Sequence, residues 1–441
     1  MITDSLSIVL PAYNEEKRIL PTLEAYSKHF LNVTKDFELI VVVNNSNDKT
    51  FDIAMEFKDT HHFVKVVNIK KKVGKGGAII SGLKKAKGDI LGFMDADDAF
   101  ALEDISKLLE EIADGRIDVG IASKWKGKHI WEVDEPLSRK ILSRGWNLLV
   151  RFLLHLHYSD TQAGAKFFTK DAWEQIPKDF IGRGFEFDAD ILSRFYEQGF
   201  RIKEFYVRNK YKEMSKFKIR NSWEMFINLF YIAIRKRPQH PAYYYMAYKD
   251  WWRLTHFFYK RKIDKIASFI PLNSIVLDAG CGSGVLPYVL SRKKHCELIG
   301  IDVREDQIRI AKRLCPEGSF IQGDLLNLNL GRKFPVINCS DVIEHFNQID
   351  RKLALWNLDE HLESGGRMIL AFPSWLYMSA FEKPWKIFRR IIYPFRSFDD
   401  EIHSYVPAKE IISFYKNRNY SLLKKGRIGF GLINYLVFRK G

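Results

Sequence analysis

Cysteine is scarce in this 441-residue chain. Its four thiols (Cys281, Cys296, Cys315 and Cys339) stand singly, with no metal-binding pair spacing. A disulfide-stapled scaffold is thereby excluded, and a reducing cytoplasm is the expected setting. Long apolar runs are missing too. The longest candidate, Met225 to Ile234, is broken by Asn228 and falls well short of the ~18 residues of a membrane span, so the chain is not expected to cross a bilayer on its own. The opening MITDSLSIVLPAYNEE lacks the basic start and apolar core of a signal peptide. No internal repeat is visible, and with 46% hydrophobic and 28% charged residues disorder and collagen-like order are excluded; the length suits two or three domains.

What is present in excess is positive charge. The formal net charge is +16, and residues 205–262 carry 14 Lys/Arg against three acids, together with 17 of the 62 aromatics, among them Tyr243, Tyr244, Tyr245, Tyr248, Trp251 and Trp252. Cations interleaved with Trp and Tyr suit an anionic membrane surface. The same composition suits stacked bases of a nucleic acid, or a solvated basic face above an aromatic core. No base-reading module accompanies it, so no nucleic-acid partner is expected.

Strand-like and helix-like segments alternate twice. Leu6–Leu10, Glu38–Val43, Val64–Ile69 and Ile90–Met94 are short strand-like runs separated by helical patterns at Glu15–His29 and Lys75–Ala86. After the breaker cluster KRPQHP a second rhythm runs through Ser274–Asp278, Leu298–Asp302, Phe320–Gln322, Val336–Ser340 and Met368–Phe372, with a late pair near Tyr420–Lys424 and Tyr435–Phe438. The pattern predicts an α/β chain of two domains, residues 1–235 and 264–441, joined by a basic aromatic connector at 236–263.

In the second half, VLDAGCGSG (276–284) follows a strand and opens a helix, where Gly280, Gly282 and Gly284 allow a tight turn and close approach of a ligand. Asp302 ends the next strand, where a carboxylate can accept from ribose hydroxyls, and Asp324 follows the third, within reach of an adenine amino group. With CSDVIEHF (339–346) and LESGGRMIL (362–370), this half resembles class I S-adenosylmethionine-dependent methyltransferases, which have a Rossmann-like fold. The resemblance implies a donor set of Asp278 (near the methionine ammonium), Gly280, Gly282, Gly284, Asp302, Asp324, Leu325 and Ser340. A nicotinamide dehydrogenase fits less well, because the loop reads GxGxG. For a hydroxyl acceptor a base is useful, and His345 and His403 are the candidates, each also readable as a packed histidine. Residues 375–398 carry eight aromatics and five Lys/Arg against one acid, as suits a lid over a lipid-borne acceptor or a helix merely packed on the domain.

In the first half, Asp95 and Asp97 of FMDADD straddle one residue at a strand end, so their carboxylates can share Mg²⁺ or Mn²⁺ with substrate phosphates. The order PAYNEE, ELIVVVNNSNDKT, GKGGAIISGLKKAKGD, MDADD, DTQAGAKFF and GFEFDADIL resembles family 2 glycosyltransferases of the GT-A fold, nearest in kind to the dolichyl- or polyprenyl-phosphate hexosyltransferases. That resemblance implies inverting hexosyl transfer from a UDP- or GDP-sugar, with Asp95, Asp97 and Asp98 at the metal. Pro11, Tyr13, Glu15, Asn44, Lys75 and Asp95 would line the nucleotide pocket, with Gln162 and Asp188 on the acceptor side. Arg139, Ser143 and Asn147 recur every four residues and share a helical face. With Lys124, Arg139 and Ser143 match the family's acceptor-phosphate residues; the alternative is a surface-polar helix.

Two departures stand out: Val43 and Asn44 replace the usual acidic pair, and Ala99 replaces a frequent Gln. Relatives often continue into membrane helices beyond a basic loop, matched here by Lys210–Lys218; this chain runs instead into its second domain. The expectation is a bifunctional transferase, peripheral on the cytoplasmic face of a membrane. It would glycosylate a polyprenyl phosphate or lipid-linked glycan and methylate a related product. A methyltransferase with a silent first domain, or glycosyl transfer to a sugar hydroxyl, is the alternative.

Overall fold

The β-branched runs of the first half become strands because both of their faces find cover. In the computed structural model they form β1 (Leu6–Ala12), β2 (Phe37–Asn44), β3 (Val64–Ile69) and β4 (Ile90–Met94), all parallel. Leu6, Ile8 and Leu10 pack with Ile105, Leu108 and Leu109 on one side, while Val9, Ile40 and Val42 meet Ile79 and Leu83 on the other. A strand buried on both faces reads as continuous hydrophobics. Three more strands, β5 (Val119–Ser123), β6 (Ala165–Thr169) and β7 (Ile202–Tyr206), complete the order β3-β2-β1-β4-β6-β5-β7, with β6 antiparallel to β4 and β5. Their sequences VGIAS, AKFFT and IKEFY escape a pattern search because Gly120, Lys166 and Glu204 interrupt the apolar run.

The second sheet contains β8 (Ile275–Ala279), β9 (Glu297–Asp302), β10 (Ser319–Gln322), β11 (Phe334–Ser340), β12 (Leu362–Pro373), β13 (Tyr420–Ile428) and β14 (Ile433–Lys440). Its order is β10-β9-β8-β11-β12-β14-β13; the first five strands are parallel and β14 is antiparallel to both neighbours. Contacts divide the chain into Met1–Arg237 and Pro238–Gly441. The helix His256–Ser268 opens inside the stretch read as connector and packs Ile263, Ile266 and Ala267 into the core beneath β8 and β14.

The structure describes residues 2–97, 100–129, 131–133, 136–154, 156–208, 222–234, 256–379 and 404–441. Asp98, Ala99, Lys210–Lys218, His403, the connector up to residue 255 and most of 375–398 lie outside the described residues. Among the described residues no helix is long and apolar enough to cross a membrane. Two helices of the first unit, Leu137–Leu154 and Ser222–Ile234, pack together yet leave apolar stripes uncovered. Leu137, Ile141, Leu148 and Phe152 are exposed on one, and Trp223, Phe226, Phe230 and Tyr231 on the other.

Candidate functional site

The carboxyl ends of β1 and β4 converge on the acidic turn. Asp95 follows β4 and is tied down on three sides: its N–H donates to the Gly164 carbonyl at 2.9 Å, its own carbonyl accepts from the Tyr26 hydroxyl at 3.0 Å, and the next carbonyl, Ala96, accepts from Thr22. A Cβ on Gly164 would lie 2.1 Å from Asp95 Oδ2, so only glycine lets the two loops meet.

Opposite stands Lys75, in the first turn of the helix Gly74–Leu83. Gly74 has φ +77°, and a Cβ there would sit 2.3 Å from the Arg183 carbonyl oxygen; Gly76 and Gly77 donate N–H bonds to Gly184 and Arg183. The glycines thus dock this helix onto the loop 181–187, and Lys75 Nζ reaches Asp95 at 2.8 Å and Asp188 at 3.5 Å. Asp188 also holds Lys166, a lysine 1% exposed on β6 that donates to the Ala163 carbonyl as well. Four charges of alternating sign therefore run Asp95–Lys75–Asp188–Lys166. Burial works against the Lys75 ammonium, but Asp188 and Asp95 outweigh it and hold its pKa above the ordinary lysine range. Burial dominates at Lys166, pulling its pKa down against Asp188, and at Asp95, pushing it up against Lys75.

The other acids of GFEFDADIL hold the loop in place. Glu186 accepts from the N–H groups of Arg183 and Gly184, and Asp190 pairs with Arg194 at 2.7 Å while capping the N–H groups of Ile181 and Gly182. Lys166 went unnoticed within DTQAGAKFF, although a lysine between Ala165 and Phe167 in a strand signals a buried, paired charge.

Asp97 Oδ1 is buried and has no hydrogen-bond partner among the described residues. With Asp95 it offers hard oxygen donors that fit Mg²⁺ or Mn²⁺. No group of three or more His, Cys, Asp or Glu that could hold a metal ion is present among the described residues, and Asp98, the third expected ligand, lies outside them.

Pro11, next to last in β1, lies beside Val42, Tyr13 is 43% exposed, and Glu15 pairs with Arg18 while its N–H donates to Thr50. Asn44 is a different case from the one its position suggested. It is buried; its Nδ2 donates to the Gly74 carbonyl and its Oδ1 accepts from Val73 N–H, both at 3.1 Å. Its amide fastens the loop ahead of Lys75. Gln162 donates to the Phe185 carbonyl at 3.1 Å. Lys124 follows β5, and Arg139 and Ser143 lie one turn apart on the helix Leu137–Leu154; Asn147 on the same row is buried against Thr161. Unanticipated residues adjoin them: Trp125 is buried with its Nε1 lacking a partner among the described residues, and the Arg144 guanidinium lies 4.2 Å from its ring centre.

In the second unit a cavity of about 450 Å³ opens over the carboxyl ends of β8, β9 and β11. Asp278, Gly280, Gly282, Asp302, Asp324, Leu325, Ser340 and His345 all line it. Gly280 has φ +79°, and a Cβ there would lie 2.1 Å from Val342 Cγ2. Gly284 does not line the cavity: it precedes the helix Val285–Lys294 with φ +74° and allows close packing against Ala311. Asp302 accepts from the N–H groups of Gly282 and Arg304, leaving lone pairs toward the cavity. Asp278 accepts from Asn338 at 2.6 Å, and Ser340 in turn donates to Asn338 at 2.9 Å. Burial raises the Asp278 pKa to about 7, with Asn338 opposing. Lys262, counted in the connector from sequence, lines the same cavity and pairs with Asp341; burial draws its pKa down to about 8 against the pull of Glu344 and Asp278. Ser283 Oγ and Gln307 Oε1, both on the wall, are buried without partners among the described residues, as suits a cavity built for a polar ligand.

Both units are transferase domains on comparison with known proteins: the Glycosyl transferase family 2 profile matches residues 7–176, and a methyltransferase-domain profile matches residues 276–366. Human dolichyl-phosphate beta-glucosyltransferase is 30% identical over 249 residues, 53% of this chain and 76% of that protein. The chain belongs to glycosyltransferase family 2 and carries a methyltransferase domain behind it. Glycosyltransferase AglD of Haloferax volcanii is 31% identical over 207 residues, 45% of this chain; the match spans about a third (32%) of that relative's length. Among solved structures, magnesium protoporphyrin IX methyltransferase from Synechocystis, with bound SAH, is similar over 45% of this chain and 93% of its own at 18% identity and a TM-score of 0.37.

Proposed function

We propose that the first domain transfers a hexose, with inversion, from a UDP- or GDP-sugar to a polyprenyl phosphate or lipid-linked glycan, and that the second methylates a related product with S-adenosylmethionine. The observation that carries the first half is the charge chain Asp95–Lys75–Asp188–Lys166 beside the unpartnered Asp97 oxygen. A divalent cation on Asp95 and Asp97 would supply Lewis acidity toward the departing diphosphate. Lys75 adds a fixed cation for the same oxygens. A phosphate acceptor is already an anion and needs positioning more than a base; Lys124, Arg139 and Ser143 are the residues proposed for it.

In the second domain the bound donor brings a methyl group already activated on a sulfonium, so alignment and water exclusion supply most of the rate. Asp278 would pair with its ammonium, Asp302 with ribose hydroxyls, and Asp324 and Leu325 with adenine. His345, which lines the cavity, is the residue that would hold and take up the proton of a hydroxyl acceptor. The two exposed apolar stripes of the first unit support peripheral attachment to an anionic cytoplasmic membrane surface.

The test is incubation of the protein with labelled UDP- and GDP-hexoses, polyprenyl phosphate and Mg²⁺ or Mn²⁺, with EDTA as control. Metal-dependent label in the organic extract is the expected result. No extractable label from any donor, with S-adenosylhomocysteine binding intact, would favour a second reading, a silent first domain. The observation behind that reading is that Val43 is buried and Asn44 is committed to the backbone, leaving neither for a nucleobase.

A further inference from the structure

A second cavity of the methyltransferase unit, about 470 Å³, is lined by Arg261, Lys265 and Arg427, by the rings of Phe257, Phe430 and Tyr435, and by the backbone of residues 428–431. Its place in the fold is set by register. Ile428, the last residue of β13, lies opposite Ile433 of β14, which lies opposite Pro373 of β12, two positions beyond the Ala371–Ser340 pair. The β13–β14 turn therefore sits at the carboxyl edge of the sheet, the edge that carries the donor cavity. The turn is pinned there by Ser374, whose N–H donates to the Leu432 carbonyl and whose Oγ donates to the Gly431 carbonyl.

One helix serves both cavities. Residues 257, 261 and 265 of His256–Ser268 recur every four positions and face the second cavity, while Tyr259, Lys262, Ile263 and Ile266 face the donor cavity. The two cavities therefore lie on opposite faces of this helix, whose body is ~10 Å across.

The lining chemistry is one-sided. Among the described residues, three cations and no carboxylate line the second cavity, and none of the three forms an ion pair. Phe430 holds φ +57°, a costly conformation for an aromatic residue, between Gly429 at +63° and Gly431 at +89°. The turn thereby presents the Phe430 ring, 80% exposed, beside Phe257 with ring centres 6.4 Å apart. Cations beside an aromatic wall suit a ligand that joins a phosphoryl group to a sugar ring: charge-assisted bonds hold the anion and the ring's C–H face packs on the aromatics.

We propose that this cavity is a binding site for a phosphorylated saccharide, with the phosphoryl group on Arg261, Lys265 and Arg427 and the sugar against Phe257 and Phe430. The test titrates the full chain, saturated with S-adenosylhomocysteine, with glucose 1-phosphate, glucose and inorganic phosphate, and separately with phosphatidylglycerol vesicles. Glucose 1-phosphate is expected to bind more tightly than either part. Arg427→Gln should weaken it by about tenfold, and Phe430→Ala should weaken it while leaving inorganic phosphate unchanged. S-adenosylhomocysteine affinity should be the same in both variants, which also reports that they are folded. Binding of glucose 1-phosphate that is insensitive to both substitutions would overturn the site. So would an Arg427→Gln effect confined to vesicles, which would make the cavity a lipid-surface contact. Failure of the wild-type protein to bind glucose 1-phosphate would also overturn the site, whereas failure to bind S-adenosylhomocysteine would overturn the donor reading alone.

Discussion

The two sites carry opposite electrostatic designs. In the first unit every acid seen facing the centre, apart from Asp97, meets a lysine: Lys75 bridges Asp95 and Asp188, and Lys166 compensates Asp188 from beneath. In the second unit the one cavity lysine seen, Lys262, pairs with Asp341, while Asp278 has no ion pair among the described residues and is held by the Asn338 amide. Burial raises the Asp278 pKa to about 7. The contrast follows the charge of the proposed ligands. A site for a diphosphate needs cations held in place, with buried carboxylates anchoring them. A site for an ammonium and a sulfonium needs carboxylates left without cations, at the cost of a raised pKa in the empty state.

The sharpest way to break the comparison is at the metal pair. Asp97→Ala should lower hexosyl transfer on the order of a thousandfold while S-adenosylhomocysteine affinity stays at the wild-type value. Parallel loss of both, measured by label extraction and calorimetry, would show that the two sites are not independent. Lys166→Met tests the anchoring role. It leaves Asp188 buried with only the more distant Lys75, and breaking a buried pair costs about 3–5 kcal/mol. The melting transition of the first unit should fall by roughly 6–15 °C, with the second unchanged in differential scanning calorimetry.

Gly280→Ala should weaken S-adenosylhomocysteine binding roughly ten- to a hundredfold, because the added methyl meets Val342 in a left-handed backbone; hexosyl transfer should be unaffected. The pH dependence follows from Asp278. Its proton must leave before an ammonium can pair with it, so affinity should fall as pH drops through 7, roughly eightfold weaker at pH 6.0 than at 7.5. Asp278→Asn should bind more weakly at neutral pH and lose that slope. The smallest effect is expected at Asn44. If its amide only fastens the loop before Lys75, Asn44→Ala should raise the KM for UDP- and GDP-sugars alike by a few fold, whereas a change in preference between them would make it a base-reading residue.

Local pattern made the parallel strands legible, because burial on both faces writes them as continuous β-branched runs and the glycine loop follows directly on β8. β5 to β7 were not legible, since Gly120, Lys166 and Glu204 serve contacts distant in sequence: Gly120 receives Leu108, Lys166 meets Asp188, and Glu204 caps the N–H groups of Ser159 and Asp160. The same reason hid half of each site. Asp95 and Asp278 stand in motifs that follow a strand, but Lys166 and Lys262 become meaningful only when a neighbouring element brings their partners. Asn44 was placed correctly along the chain, yet its amide is engaged by Val73 and Gly74, thirty residues on. Gly284 closes the same glycine loop, and its missing side chain makes room for Ala311.

The most direct test of a two-site transferase is a double-label reaction on the intact chain, with hexose-labelled nucleotide sugar, methyl-labelled S-adenosylmethionine, polyprenyl phosphate, a membrane glycan extract and Mg²⁺. The account predicts both labels in the organic extract, with the hexose label alone lost in Asp97→Ala and the methyl label alone lost in Gly280→Ala. Hexose label that survives Asp97→Ala, or methyl label that survives Gly280→Ala undiminished, would contradict it.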